Sequence, residues 1–237
     1  MDVGLQEYEL TREQLHRVSA HVLGRRRWQE DGRFGLRVTP GGVSTPLFGP
    51  RGERLRTAGT QLVREIGGRA YYMGMDGTSL GDLARFAAAD LDTEFHCGAD
   101  TPDLGDPEQP LALSEAAAAL MADWLQWGWA ALDGFLSILP DSAQPETLQL
   151  WPEHFDIGTN VAVPASDRVN LGCSPGDGYE TRPYLYVGPW SSARPGNPAY
   201  WNAPFGAVLT EGDMTYGPDP VKAGVAFFGE GIGRFSG

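Results

Sequence analysis

The stretch SEAAAALMADWLQWGWAALDGFLSIL, residues 114–139, decides how this chain must fold. Leu120, Met121, Trp124, Leu125, Leu132, Phe135 and Leu136 recur at helical spacing over a wide arc, with Trp127 and Trp129 near its edges. Only Asp123, Gln126, Asp133 and Ser137 mark a polar strip. A helix this apolar must be packed on most of its circumference. Ser114 is a suitable cap, so the reading is a long central helix from Ser114 to about Leu139.

On either side the pattern changes to short extended runs. Upstream, Thr11-Arg12-Glu13-Gln14 reads as a capping box opening a helix with Leu15, Val18 and Val22 inward, ending near Gly24. Strand-like runs follow at 34–38, 43–48, 61–66 and 70–73, with Gly67-Gly68 as a hairpin turn. Ser79 can cap a helix carrying Leu80, Leu83, Ala84, Ala87 and Leu91 on one face. Residues 93–110 are rich in acids, Gly and Pro and read as a long loop. Downstream, strands are expected at 147–151, 155–163, 168–173, 183–188 and 207–210. A last helix begins with Asp219 as cap and Pro220 at its first position, running to about Phe228.

The expected fold class is α+β, with antiparallel sheet packed around the long helix. The order also allows two similar halves, although no residue-level repeat supports them. Either residues 1–237 form one α+β domain, or two lobes, 1–110 and 111–237, are joined by the acidic loop.

Composition narrows the function classes. Gly 32 and Pro 18 imply many turns, which suits short strands. The formal charge of −13 repels phosphate backbones and anionic lipid heads, so neither nucleic acid nor membrane is expected as a partner. Arg25-Arg26-Arg27 reads as a solvated helix end complementing the helix dipole. Two cysteines, Cys97 and Cys173, supply neither a disulfide framework nor a four-cysteine zinc site. The start lacks the basic and apolar regions of a signal peptide, and no apolar run is long enough for a membrane span, so a cytoplasmic setting is expected.

The chemistry gathers around Leu150-Trp151-Pro152-Glu153-His154-Phe155-Asp156. If this segment is extended, His154 and Asp156 share one strand face, as a general base and its orienting acid would. The competing reading is a buried pair that only fixes the sheet. Glu153, His154 and Asp156, joined by His96, Cys97 or Asp177, would offer metal ligands, but none has a recognised metal-site spacing, so no metal is assigned. Cys97, beside His96, reads as the more exposed thiol and Cys173 as a small buried residue. Gly172-Cys173-Ser174-Pro175-Gly176 matches the letters of a nucleophile elbow but not its chemistry. Pro175 has no N–H for an oxyanion hole, no helix follows, and no histidine lies downstream of Ser174. A tight loop held by Ser174 and Asp177 is the better reading. Tyr184 and Tyr186 share one strand face, and Trp190 and Trp201 lie in Pro- and Gly-rich connections.

Leu150 to Asp156, Ser174-Pro175-Gly176-Asp177, Pro183-Tyr184-Leu185-Tyr186-Val187-Gly188-Pro189-Trp190 and Trp201-Asn202-Ala203-Pro204-Phe205-Gly206 together resemble a group of uncharacterised actinobacterial proteins. More distantly they resemble the DUF5996 family of unknown function. Gly35-Leu36-Arg37-Val38-Thr39-Pro40-Gly41-Gly42 extends the likeness into the first half. The resemblance implies a family without an activity. The residues themselves suggest a small-molecule-binding protein or enzyme with a pocket in the second half. His154 would be its acid/base and Asp156 the orienting partner. Glu153, Ser174 and Asp177 would make polar contacts, and Tyr184, Tyr186, Trp190 and Trp201 would form walls. No cofactor is indicated. The alternative is a noncatalytic interaction module, a homodimer, in which His154 and Asp156 are structural.

Overall fold

The computed structural model describes residues 3–164, 167–214 and 219–235. The chain divides into two compact units, Met1–Gln126 with Leu150–Phe155, and Trp127–Gln149 with Asp156–Gly237. Both combine helices with antiparallel sheet, so the α+β class holds. The division falls inside the longest helix, and the acidic 93–110 loop lies wholly within the first unit.

The first unit opens with α1 (Leu5–Val18), a π-helical segment (Ser19–Gly24) and α2 (Arg25–Asp31), which follow one another without a break. Gly32, at φ +74°, ends the run in the left-handed conformation that glycine adopts most readily. The helix therefore starts before Thr11, which is not its cap. The two polar side chains of the supposed capping box serve another segment. The Thr11 hydroxyl accepts from the Ser114 N–H at 3.1 Å, and the Gln14 side-chain carbonyl accepts from the Ala112 N–H at 2.7 Å.

The arginine triplet is not a solvated helix end either, because the helix continues past it. Arg25 is buried, and its Nη1 donates to the carbonyls of Asp90, Leu91 and Thr93. Arg26 pairs with Glu30 and with Glu53, and Arg27 donates to the Gly35 carbonyl.

A five-stranded antiparallel meander follows, β1 (Arg37–Thr39), β2 (Gly42–Ser44), β3 (Arg54–Ala58), β4 (Gln61–Ile66) and β5 (Arg69–Gly74), in that spatial order. Gly67 and Gly68, at φ +58° and +75°, make the two-residue turn between β4 and β5. Positive φ at both positions is what matches the twist of the flanking strands. Leu55 and Leu62 point to the covered face and are fully buried. Ser79 caps α3 (Leu80–Ala87), its hydroxyl accepting from the Asp82 N–H. The helix stops at Ala88, at φ +57°, short of Leu91. Leu150 returns to this unit and exchanges two backbone hydrogen bonds with Leu36, at 2.8 and 2.9 Å.

Helix α4 (Glu115–Leu136) is the expected long helix, with Ser114 accepting from the Ala117 N–H at 3.2 Å. Leu120, placed on the packed arc by spacing, is exposed instead. The second sheet contains β6 (Gln149–Trp151), β7 (Asp156–Val163), β8 (Asp167–Ser174), β9 (Tyr184–Pro189) and β10 (Ala207–Thr210), in the order β10-β9-β8-β7-β6. Its register aligns Ile157, Cys173 and Leu185 in one row and Gly158, Gly172 and Tyr186 in the next.

Alternation therefore sends Ile157, Val161, Val169, Leu171, Cys173, Leu185 and Val187 to one face, all fully buried. The second half of α4 and helix α5 (Pro220–Gly233) pack there. Gly224 allows the approach, since a Cβ added to it would lie 2.6 Å from the Ala131 methyl. Asp219 caps α5 and Pro220 occupies its first turn, as the sequence suggests, but the helix runs on past Phe228. The opposite face carries Asp156, Asn160, Asn170, Ser174, Tyr184 and Tyr186. Among the described residues, no helix is long and apolar enough to cross a membrane.

Candidate functional site

The segment around His154 is not a continuous strand. The chain leaves β6 at Trp151, turns through residues 152–155 and re-enters the sheet at Asp156. Phe155 makes the reversal at φ +57°, its N–H donating to the Trp151 carbonyl at 2.8 Å. The alternation that set His154 and Asp156 on one face therefore does not apply, and each has its own partners. The His154 side chain is 50% exposed, with Nδ1 3.8 Å from an Asp100 oxygen and Nε2 3.7 Å from a Glu153 oxygen. Asp156 is buried and accepts from the Tyr186 hydroxyl at 2.5 Å.

Asp100, Glu153 and His154 each offer a ligand atom within 4.8 Å of the others. One imidazole and two carboxylates are a donor set that suits a divalent cation. Gly98 seats the Glu153 carboxylate, since any Cβ there would overlap it, and the Asp100 N–H donates to Glu153 Oε1 at 3.1 Å. Asp100 lies in the acidic loop, so spacing alone did not reveal it. The neighbouring Cys97 is buried rather than exposed. Burial pushes its thiol pKa up, opposed by the Thr101 hydroxyl and reinforced by the Glu153 charge. His96 Nε2 lies 3.5 Å from a Glu94 carboxylate oxygen.

Two histidines that spacing left unassigned hold these loops. His16 Nε2 lies 2.9 Å from the Pro152 carbonyl and 3.0 Å from that of Glu153, and its ring stacks on Phe155 at 5.5 Å. Both carbonyls can only accept, so Nε2 carries the hydrogen. Burial lowers the His16 pKa to about 4 despite those carbonyls. His21 Nε2 is 2.6 Å from the Pro102 carbonyl, and burial lowers its pKa as well.

The second unit gathers five of the expected residues, Asp156, Ser174, Asp177, Tyr184 and Tyr186. The Tyr184 hydroxyl stands between Ser174 and Asp177, donating to Asp177 at 2.6 Å. The Tyr186 ring lies across β8 over Gly172, where a Cβ would overlap it, and this brings its hydroxyl to Asp156 on β7. Burial and the adjacent carboxylates push both phenol pKa values upward, so both remain donors. Asp177 is itself fixed by the Tyr179 and Glu180 N–H groups, and the Ser174 hydroxyl accepts from the Gly176 N–H. This is the tight loop expected from the sequence.

Tyr179 and Phe205 complete the aromatic group and are not among the expected walls, although Phe205 lies in the same Pro- and Gly-rich connections as Trp190 and Trp201. Each contacts the rings of this set, Tyr179 with Tyr184 and Phe205 with Tyr186. Trp190 and Trp201, expected as walls, have other partners. Trp190 Nε1 donates to Asn170, while Trp201 packs on Tyr200 and Phe235.

A cavity of about 10 Å³ in the first unit, bordered by Ser19, Thr57, Met121 and Phe155, has room for roughly one water molecule. It is too small for an organic ligand. No protein-family model, curated protein or solved structure matches the chain.

Proposed function

We propose that the chain is a small-molecule-binding protein whose site is the tyrosine–carboxylate face of β8 and β9 in the second unit. The observation that carries this reading is the pair of anchored tyrosines, Tyr184 on Asp177 and Tyr186 on Asp156. Burying a carboxylate is unfavourable, and an apolar residue at 156 would pack the sheet more simply. What the carboxylates supply is rigid orientation of two amphipathic rings. Preorganisation of that kind favours binding, because little side-chain freedom is then lost. Asp156 is thus a positioning group for Tyr186, and His154 has no assigned step. A reducing, cytoplasmic setting belongs to this reading and suits a chain with two cysteines and no disulfide framework.

Ligand-observed NMR with a fragment library tests the reading. Hits on the wild type should weaken in Tyr179→Ala and Tyr184→Phe. A library with no hit sensitive to these changes would overturn it. A second reading, the homodimeric interaction module, is favoured by β5. This edge strand is exposed along most of its length, with Tyr71 at 46% and Tyr72 at 62%. Native mass spectrometry giving a dimer that Tyr72→Lys dissociates would support it, and a monomer at micromolar concentration would remove it.

A further inference from the structure

The aromatic group of the second unit has a geometry of its own. Tyr179 meets Tyr184 at 6.1 Å and 68°, and Tyr184 meets Tyr186 at 6.2 Å and 52°. Tyr186 meets Phe205 at 6.5 Å and 90°, and Phe205 meets Tyr179 at 5.0 Å and 72°. The four contacts close a cycle, and every neighbouring pair is inclined by 52° or more. Tyr179 is 48% and Phe205 38% exposed, so the group reaches solvent.

Carboxylates stand behind two of its rings, while the Arg194 guanidinium donates to the Phe205 carbonyl at 3.1 Å. Tyr184 and Tyr186 give their phenol hydrogens to Asp177 and Asp156, which makes the rings more electron-rich and sets two carboxylates behind them. Glu180 is adjacent, and the Arg182 guanidinium is the one cation in the 177–186 segment. Ring faces attract a cation lying within about 6 Å of their centroids, and most strongly where water is excluded. They offer no lone pairs for a metal ion, so the favoured guest is a weakly hydrated organic cation. We infer that this site takes an organic ammonium ligand, held by the Tyr179, Tyr184, Tyr186 and Phe205 rings with Asp156 and Asp177 behind them. The inference rests on the small-molecule reading above and specifies its ligand class.

The test is calorimetric titration of the full chain with choline and ethanolamine. The control is the neutral isostere of choline, in which carbon replaces the ammonium nitrogen. At least one ammonium probe should bind, with the isostere about tenfold or more weaker than choline. Phe205→Leu keeps apolar bulk but loses the ring and should weaken the ammonium probe about tenfold, whereas Phe205→Trp should retain binding. Circular dichroism confirms that both variants fold. An isostere binding as tightly as choline would overturn the ammonium assignment and leave the small-molecule reading standing. Failure of both ammonium probes to bind the wild type would also overturn it, and the fragment screen then judges the parent reading separately. Equal binding by Phe205→Leu would remove the ring from the mechanism and overturn the inference as well.

Discussion

Replacing Gly172 with alanine should uncouple Tyr186 from Asp156. The added Cβ would overlap Cζ and the hydroxyl of Tyr186. Restoring ordinary contact requires the ring to retreat by at least about 1 Å. The hydroxyl starts 2.5 Å from Asp156 Oδ2, so that retreat brings the bond to the limit of hydrogen bonding. Loss of a hydrogen bond to a buried charge costs about 1.5–3 kcal/mol. Overpacking of the row adds about 1–3 kcal/mol. Gly172→Ala should therefore destabilise the protein by about 3 kcal/mol or more. The control is the same substitution in a Tyr186→Ala background, where the ring is gone and alanine should cost under about 0.5 kcal/mol. Urea unfolding followed by circular dichroism on the four proteins gives the coupling, expected at about 2.5 kcal/mol or more. Equal costs in the two backgrounds would refute the account, because the strain would then lie in the backbone and not between Gly172 and Tyr186.

Three further outcomes can be checked on the same footing. His16 titrates at about 4 in the folded chain against 6.5 in the unfolded one, so its contribution is full above pH 6.5 and is lost as pH falls toward 4. That loss should reach about 3 kcal/mol, and His16→Gln should flatten it; parallel acid limbs in both proteins would sink the assignment. Arg25→Met should cost about 2–4 kcal/mol and speed amide exchange over residues 88–95, since one guanidinium holds three carbonyls there. Unchanged exchange would show that the loop holds itself. His154→Gln should move the melting midpoint by no more than about 0.5 kcal/mol allows, because its ion pairs are long and half-exposed; a larger fall would mean that these pairs contribute to the fold.

The parts legible in the sequence were those that depend on local chemistry. Ser79, Ser114 and Asp219 cap helices because each supplies its oxygen to an N–H only three residues on. Gly67-Gly68 turns because both residues take positive φ. Tyr184 and Tyr186 share a face because strands alternate. The misreadings arose where a residue's partner is remote or is backbone. Thr11 and Gln14 look like a capping box, yet they receive N–H groups from residues 112–114. Arg25 looks solvated because carbonyl partners leave no signature in side-chain type. His154 and Asp156 were separated by Phe155, a residue whose bulk gives no warning of a left-handed conformation. Phe205 joined the aromatic group across a connection that periodicity cannot read.

The membership of Leu150–Phe155 in the first unit has a consequence for biosynthesis. Residues 127–149 of the second unit are translated before the first unit is complete. Until Leu150 emerges, Leu36 lacks both of its cross-chain hydrogen bonds, and until Pro152 and Glu153 follow, His16 lacks its acceptors. Translation proceeds at about 5–20 residues per second, so the unit waits a few seconds longer than its first 126 residues would require. During that interval a nascent chain presents the unpaired Leu36 backbone and a His16 ring without its carbonyl partners, so the first unit completes its hydrogen bonding only after part of the second has been made.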